Sequence, residues 1–495
     1  MMLSTIIFLP LVGAAVLVFG RPAPRAARAL WLATTVVDLV LLLVLTAGYR
    51  TPGPGGLAFA ERTAWIPSAG VSYHVGVDGL SLPMLLVTDV LFVACAVWAL
   101  RESDRVPRLG ALFLALQTTC LGLFSAQDLI LFFLFFDLSI VAMYAVIAGW
   151  GHADHRRSAL QFFLYTFLGS LALLVGFIGL YLGADPHTFD IPALVAQAQG
   201  GATLGGGLVL GAILLGLAIK TPVVPFHTWL PPAHTDAPAI GSAILAGVLL
   251  KMGTYGFLRV AMPLLPDAWR SWAWAILVVG LVSVLYGALV ALAQTNLKRM
   301  IAYTSVNHLG YVVLAVGAAG LVAPDTAAAR QIAITGAVTQ MVSHGLITGA
   351  LFLLAGTLYD RAGTYEMDRF GGLARTAPRY TALFAVGALA SLGLPGLSGF
   401  VAEFQIFTGS IAATWVAALA LAGILLTAAL FLSAFHRMFT GRDGPDTRGF
   451  ADLTGPELAA AGPLLVLSLA LGLVPGPLLG VIRPFAESVI TALGG

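Results

Sequence analysis

Charge is what this chain has least of. Lys, Arg, Asp and Glu fill 10% of its 495 positions, where soluble domains carry roughly 25%. Hydrophobic residues fill 59%, and mean hydropathy is +0.95. That balance excludes a water-soluble globule and leaves a polytopic membrane protein. Cysteine is nearly missing as well. Cys95 and Cys120 each lie within an apolar run, so a Cys-ligated iron–sulfur cluster and a zinc site built on paired CxxC are both excluded, and the two thiols are read as packing groups. No nucleotide motif is present. Gly211 and Gly216 have phosphate-loop spacing, but Leu217 stands where the lysine belongs. The loops are short and carry no low-complexity tail, so an extramembrane catalytic domain, a bound cofactor and a nucleic-acid partner are not expected.

What is abundant is apolar length. A bilayer core of roughly 30 Å needs about 20 apolar residues per helix. Fourteen stretches qualify, near 2–20, 29–49, 79–100, 109–125, 127–149, 158–182, 204–235, 238–262, 272–293, 300–320, 331–358, 380–410, 413–436 and 458–480. The first lacks a basic leader, its arginines (Arg21, Arg25, Arg28) coming after the apolar run, and is read as a retained helix rather than a signal peptide. With fourteen spans, 17 arginines and lysines fall in loops on one side and 6 arginines on the other. The positive-inside rule then places both termini outside the cytoplasm.

Two of the stretches are interrupted. The run 204–235 breaks at Lys220-Thr221-Pro222 and again at Pro225, and 380–410 breaks at Leu394-Pro395-Gly396-Leu397-Ser398-Gly399, with Glu403 in the half-helix that follows. Each break sits beside an ionisable residue, which suggests two copies of a five-helix unit, 109–262 and 272–436, each with its fourth helix broken. An odd number of helices per copy makes the repeats inverted. Residues 1–108 then supply three N-terminal helices, and 437–495 a loop, a last helix and a tail. Broken helices in inverted repeats occur where ions cross, because unwound backbone offers polar groups at mid-depth.

The buried ionisable residues fit that use. A lysine at bilayer depth costs roughly 2.5 kcal/mol or more, yet Lys220 and Lys251 both sit inside apolar segments with no carboxylate in helical reach. Asp137 is a lone carboxylate after a run of aromatic and aliphatic residues, a relay acid or an Asp bonded to helix backbone. His227 and His234, seven apart, share one face of the half-helix after the first break. They are either a titratable pair on a proton wire or capping and packing histidines, and their spacing does not chelate a metal. His344 is mid-span and His308 near the start of its helix; relay or satisfied core histidine are the alternatives for both. Glu403 is the second buried acid. Arg259 is expected to snorkel, Asp38 and Asp89 to pack helices, and Asp78 and Asp128 to be interfacial charges.

Four long motifs, AIKTPVVPFHTWLPPAHTDAP, KRMIAYTSVNHLG, QMVSHGL and GLPGLSGFVAEF, resemble the antiporter-like proton-pumping subunits of respiratory complex I, relatives of multisubunit Na⁺/H⁺ antiporter subunits. The resemblance covers about 78 to 440. It implies a half-channel acid at Asp137, a lysine partner at Lys220, a connecting lysine at Lys251, central histidines at His308 and His344, and an exit residue at Glu403. A glutamate at the last position resembles the M branch of bacterial NADH–quinone oxidoreductase subunits, where the L, N and antiporter branches usually carry lysine. Asp137 replaces the family's glutamate, and Pro232 an acid. The resemblance further implies a non-redox subunit of a proton-translocating NADH:quinone oxidoreductase in a bacterial inner membrane. Its neighbours would be L-like and N-like subunits and small membrane subunits, with the hydrophilic redox arm reached only indirectly. The rival readings are a subunit of an Mrp-type antiporter, or of a membrane hydrogenase or carbon-uptake complex.

Overall fold

The computed structural model describes residues 1–53 and 55–494. Backbone groups in lipid have no water to bond, so apolar runs of this length close their hydrogen bonds within helices. In chain order these are α1 (Met2–Gly20), α2 (Pro24–Ala47), α3 (Ser81–Trp98), α4 (Val106–Ser125), α5 (Leu129–Trp150), α6 (His155–Gly183) and the short α7 (Ile191–Gln199). The first interrupted span follows as α8 (Gly207–Lys220) and α9 (Leu230–Asp236). Then come α10 (Ala239–Leu264), α11 (Pro266–Leu292), α12 (Leu297–Ala319) and α13 (Ala327–Ala362). The second interrupted span is α14 (Pro378–Ser391) and α15 (Ser398–Ala413), and the chain continues through α16 (Leu421–Phe439), α17 (Gly455–Leu473) and α18 (Gly476–Ala492). Among the described residues, twelve helices are long and apolar enough to cross a membrane, and the two interrupted spans come in addition.

Two of these helices set the architecture. The apolar windows of α10 and α13 are wholly enclosed by the rest of the chain, whereas α1, α2 and α17 lie at the fringe with most of theirs uncovered. The two enclosed helices carry Lys251 and His344. They cross where Gly247 and Gly345 meet: a Cβ on Gly345 would lie 3.0 Å from the Gly247 carbonyl, so only the missing side chains allow that approach.

The wholly helical expectation omitted one element. β1 (Ala58–Ile66) and β2 (Val71–Val77) form an antiparallel hairpin between α2 and α3. It is anchored through buried acids. Asp128, expected at an interface, is fully buried; its Oδ2 accepts the Ser72 N–H at 2.9 Å while its Oδ1 caps α5. Asp190 caps α7 and bonds His74 Nδ1 at 2.7 Å. Asp78 and Arg259 also depart from expectation. Arg259 does not snorkel but is buried, its Nη2 donating to Asp78 Oδ1 at 2.6 Å and to Ser81 Oγ at 3.1 Å. A lone buried guanidinium would be prohibitive; paired and hydrogen-bonded it holds the start of α3 to α10.

The charged loops gather at two ends. One collects the hairpin, the Met1 amine on Glu61 at 2.8 Å, and α18, whose buried residues Ile482, Phe485, Ala486, Val489 and Ile490 repeat at helical spacing. Arg270 donates to the Leu493 carbonyl there at 3.4 Å. The opposite end joins the arginine-rich loops: Arg28 donates to the Glu102 carbonyl, Arg101 reaches Asp360 and Glu457, Arg437 bonds Asp368, and Arg369 bonds Asp446. Both termini therefore lie at the arginine-poor end.

Burial raises the Asp190 carboxyl, but the hydrogen bond from His74, the cap on Ala193 and the nearby Arg62 outweigh it and hold the group below its ordinary value. Its stabilisation is therefore full at neutral pH and is lost as pH falls through that lowered value. Asp190→Ala should weaken the hairpin's docking by about 1–3 kcal/mol. Amide hydrogen exchange across 58–77 measures this, and unchanged protection would show that the anchor lies elsewhere.

Candidate functional site

All three lysines of the chain, Lys220, Lys251 and Lys298, are buried. Lysine is ordinarily the most exposed of residues. Each of the three finds a different partner, and those partners define the site.

Lys220 ends α8, where Pro222 lacks the N–H that would continue the helix. Its Nζ donates to Ser139 Oγ at 3.3 Å and stands 4.7 Å from the centre of the Phe136 ring. Asp137, between the two on α5, is only half-buried, and its Oδ1 has no hydrogen-bond partner. The acid and the lysine share a neighbourhood without an ion-pair contact. Ser139 also reaches Met252 Sδ at 3.5 Å, which brings the Lys220 side against the residue next to Lys251.

Lys251 lies in α10 just after a π-helical turn, Leu245–Leu249. Wide turns of this kind are frequent at functional sites. The lysine reaches back to the carbonyl of Ala246, and its Nζ is 2.7 Å from His344 Nδ1. An ammonium has only donors, so Nδ1 accepts, and the ring's hydrogen sits on Nε2, which faces Ser305 Oγ at 3.1 Å. His308 follows: the two imidazole centres are 5.6 Å apart. His308 Nε2 donates to the Ser391 carbonyl at 3.0 Å, the last residue of α14, and stands 3.9 Å from Glu403 Oε1. The break in the second interrupted span thus delivers a carbonyl and a carboxylate to one histidine. His308, His344, Ser391 and Glu403 line a cavity with about 10 Å³ of space for a water centre, room for about one water. Gly393, in the break at φ +76°, lies under the acid: a Cβ there would sit 2.6 Å from Glu403 Oε2.

Lys251, His344, His308 and Glu403 therefore lie in series, joined by a hydrogen bond at the first step and by close approach at the other two. Chemically the series can pass a proton from ammonium to imidazole through an existing hydrogen bond, and from imidazole to carboxylate through a short shift or a single water. The other sequence candidates lie beside it. His234 is fully buried, stacked on Phe352 with ring centres 4.5 Å apart, and neither ring nitrogen has a protein partner. His227 stands apart, 5.1 Å from the Tyr286 ring and 6.2 Å from Tyr303. The expected shared helical face for these two does not exist, because 221–229 is a run of turns and α9 begins only at Leu230. Two prolines in that stretch, Pro222 and Pro225, deny a helix its donors.

Sequence reasoning missed two features. Lys298, counted among the loop charges, is fully buried at the start of α12 and donates to the Ala237 carbonyl beside the first break. Its signal was periodicity: it shares a helix face with buried Ile301 and Ala302, while Arg299 points outward. The second is Gln117, whose side-chain amide joins Asp38 and Asp89. Among the described residues no cluster of three or more His, Cys, Asp or Glu is arranged to hold a metal ion.

The family model described as "NADH:quinone oxidoreductase/Mrp antiporter, TM" matches residues 126–430, which include every residue of this set. The NADH-quinone oxidoreductase subunit M of Rhodobacter capsulatus is 39% identical over 99% of this chain and 96% of that protein. A chain of the respiratory complex I of Thermus thermophilus, solved with bound NADH, is 33% identical with a TM-score of 0.88, each chain covered in full. A chain of the Mrp complex from Dietzia sp. DQ12-45-1b, 24% identical, shares the fold with a TM-score of 0.84 over 100% of this chain and 99% of that one. On the profile match and these relatives, the chain belongs to the NADH:quinone oxidoreductase/Mrp antiporter family of membrane subunits.

Proposed function

We propose that this protein is a proton-translocating, non-redox membrane subunit of a complex I-type NADH:quinone oxidoreductase, of the M branch. The observation that carries the proposal is the buried series Lys251–His344–His308–Glu403, spread over α10, α13, α12 and α15. Asp137 and Lys220 form the loading end, and the units 109–262 and 272–436 act as inverted halves about the central histidines. The arginine-rich end faces the cytoplasm, with both termini on the far side. Neighbouring membrane-arm subunits contact its flanks and connect it to quinone chemistry elsewhere in the assembly.

In this mechanism an electrostatic change arriving along the membrane arm alters the distance between Asp137 and Lys220. Bringing the carboxylate to the lysine holds a proton there; moving it away releases the proton toward Lys251. Lys251 passes it to His344 and is left a neutral amine, and the proton leaves His344 for His308 and Glu403. The energy scale is suitable. Moving one charge against 100 mV requires about 2.3 kcal/mol, and exchanging one charge-assisted hydrogen bond is worth about 1.5–3 kcal/mol.

Lys220→Ala and Glu403→Gln, each in the assembled complex, should abolish proton pumping and strongly depress quinone-linked NADH oxidation. Acidification by inverted vesicles reads the first and NADH oxidation the second; full pumping in either variant refutes the wiring. Asp137→Glu restores the longer arm of the family and should pump normally, and a dead enzyme would show that the shorter acid is matched to another partner. Gly393→Ala forces a methyl against the Glu403 carboxylate at a backbone angle that disfavours any side chain. It should lower pumping severalfold while the complex assembles, and wild-type coupling would remove Gly393 from the site.

A further inference from the structure

Asp38 on α2, Asp89 on α3 and Gln117 on α4 meet where the N-terminal helices pack, outside the set described above, and all three are fully buried. Gln117 Nε2 donates to Asp38 Oδ2 at 3.0 Å and to Asp89 Oδ1 at 2.8 Å. One amide group therefore holds two carboxyl groups within about 6 Å of each other, a separation set by those two bonds. Among the described residues neither acid has a cation within ion-pair distance.

The remaining atoms are informative. Asp38 Oδ1, Asp89 Oδ2 and Gln117 Oε1 are buried and have no partner. All three are acceptors when the acids are ionised, and no protein donor lies within hydrogen-bond distance of them. Two adjacent negative charges in an apolar interior, with unmet acceptors around them, are prohibitively costly. A single hydrogen on either carboxyl removes one of the two charges and turns one of those acceptors into a donor. A metal cation is the less suitable occupant, because the amide N–H groups already point between the carboxylates, where such an ion would sit. The opposite orientation of the amide would place its oxygen between them and call for more protons, not fewer.

We infer that Asp38 and Asp89, bridged by Gln117, are a proton-binding site in which one of the two carboxyl groups is protonated and the other ionised. Gln117 donates to both acids, which keeps them side by side whichever one carries the proton. The helix that carries Gln117 continues toward Lys220. Gln117 and Cys120 share a face of α4, and Cys120 is within electrostatic reach of both Asp89 and Lys220. The site's role as a proton reserve for Lys220 rests on the proposed function; its occupancy by a proton does not.

The test is infrared spectroscopy of the purified membrane assembly at neutral pH, without turnover. Subtracting the Asp38→Asn/Asp89→Asn spectrum from the wild type should leave one neutral carboxylic-acid carbonyl band, which shifts in D₂O, and one carboxylate. Two carboxylates and no acid band would overturn the site, as would two acid bands. An acid band that appears only when Na⁺ is replaced by choline would also overturn it, making a cation the occupant. Should the double variant not assemble, carboxyl ¹³C shifts of aspartate in the labelled wild-type assembly count the same protonated group. Pumping assayed on the variant reports separately on the role: the band in the wild type with undiminished pumping in the variant would overturn the proton reserve, and lost pumping would support it.

Discussion

An ammonium group sealed away from water must find another electron pair, and the arrangement of this protein follows from meeting that demand at Lys251. Its partners are a backbone carbonyl in a widened helical turn and the imidazole of His344 at 2.7 Å. Both helices have to come unusually close for that contact. They do so through two glycines, and ten further membrane-length helices and the interrupted spans surround them. Lipid could not supply what the lysine needs, so the protein encloses it.

The two interrupted spans are put to different uses. In the first, the unwound stretch contributes little helix: after Lys220 the chain turns past Pro222 and Pro225, and the carbonyl of Ala237 beyond α9 becomes the resting place of Lys298. In the second, the end of α14 gives its Ser391 carbonyl to His308, and a glycine at φ +76° leaves room for Glu403. Interruption thus exposes oxygen atoms where cations and imidazoles need them. Lys220 bonded to Ser139 rather than to Asp137 is consistent with a site whose charges are held near one another without being locked together.

Much of this was legible in the sequence, for identifiable reasons. Apolar length located the spans, because lipid imposes one length on them all, and proline marked both breaks, joined by glycine at the second. Lys251, His344, His308 and Glu403 stood out as ionisable groups in apolar surroundings. The hairpin escaped notice, since AFAERTAWI and VSYHVGV are too short to compete with the helical signal around them. Asp78 and Arg259 looked like surface charges because each was judged alone, and their meaning lies in a pairing across 181 residues. Lys298 was hidden by its neighbour Arg299, two positive charges that reading by loop combined and helix geometry separates. The shared helical face of His227 and His234 assumed a helix that the prolines forbid.

The burial of every lysine has a practical side. The chain's free amino terminus is exposed, but no side-chain amine reaches the surface. Reagents that acylate amines, and the cross-linkers built on them, have almost nothing to grip on this chain. Contact maps of its assembly drawn with such chemistry would leave it blank however many neighbours it touches, and its arginines and carboxylates are the handles by which those neighbours can be found.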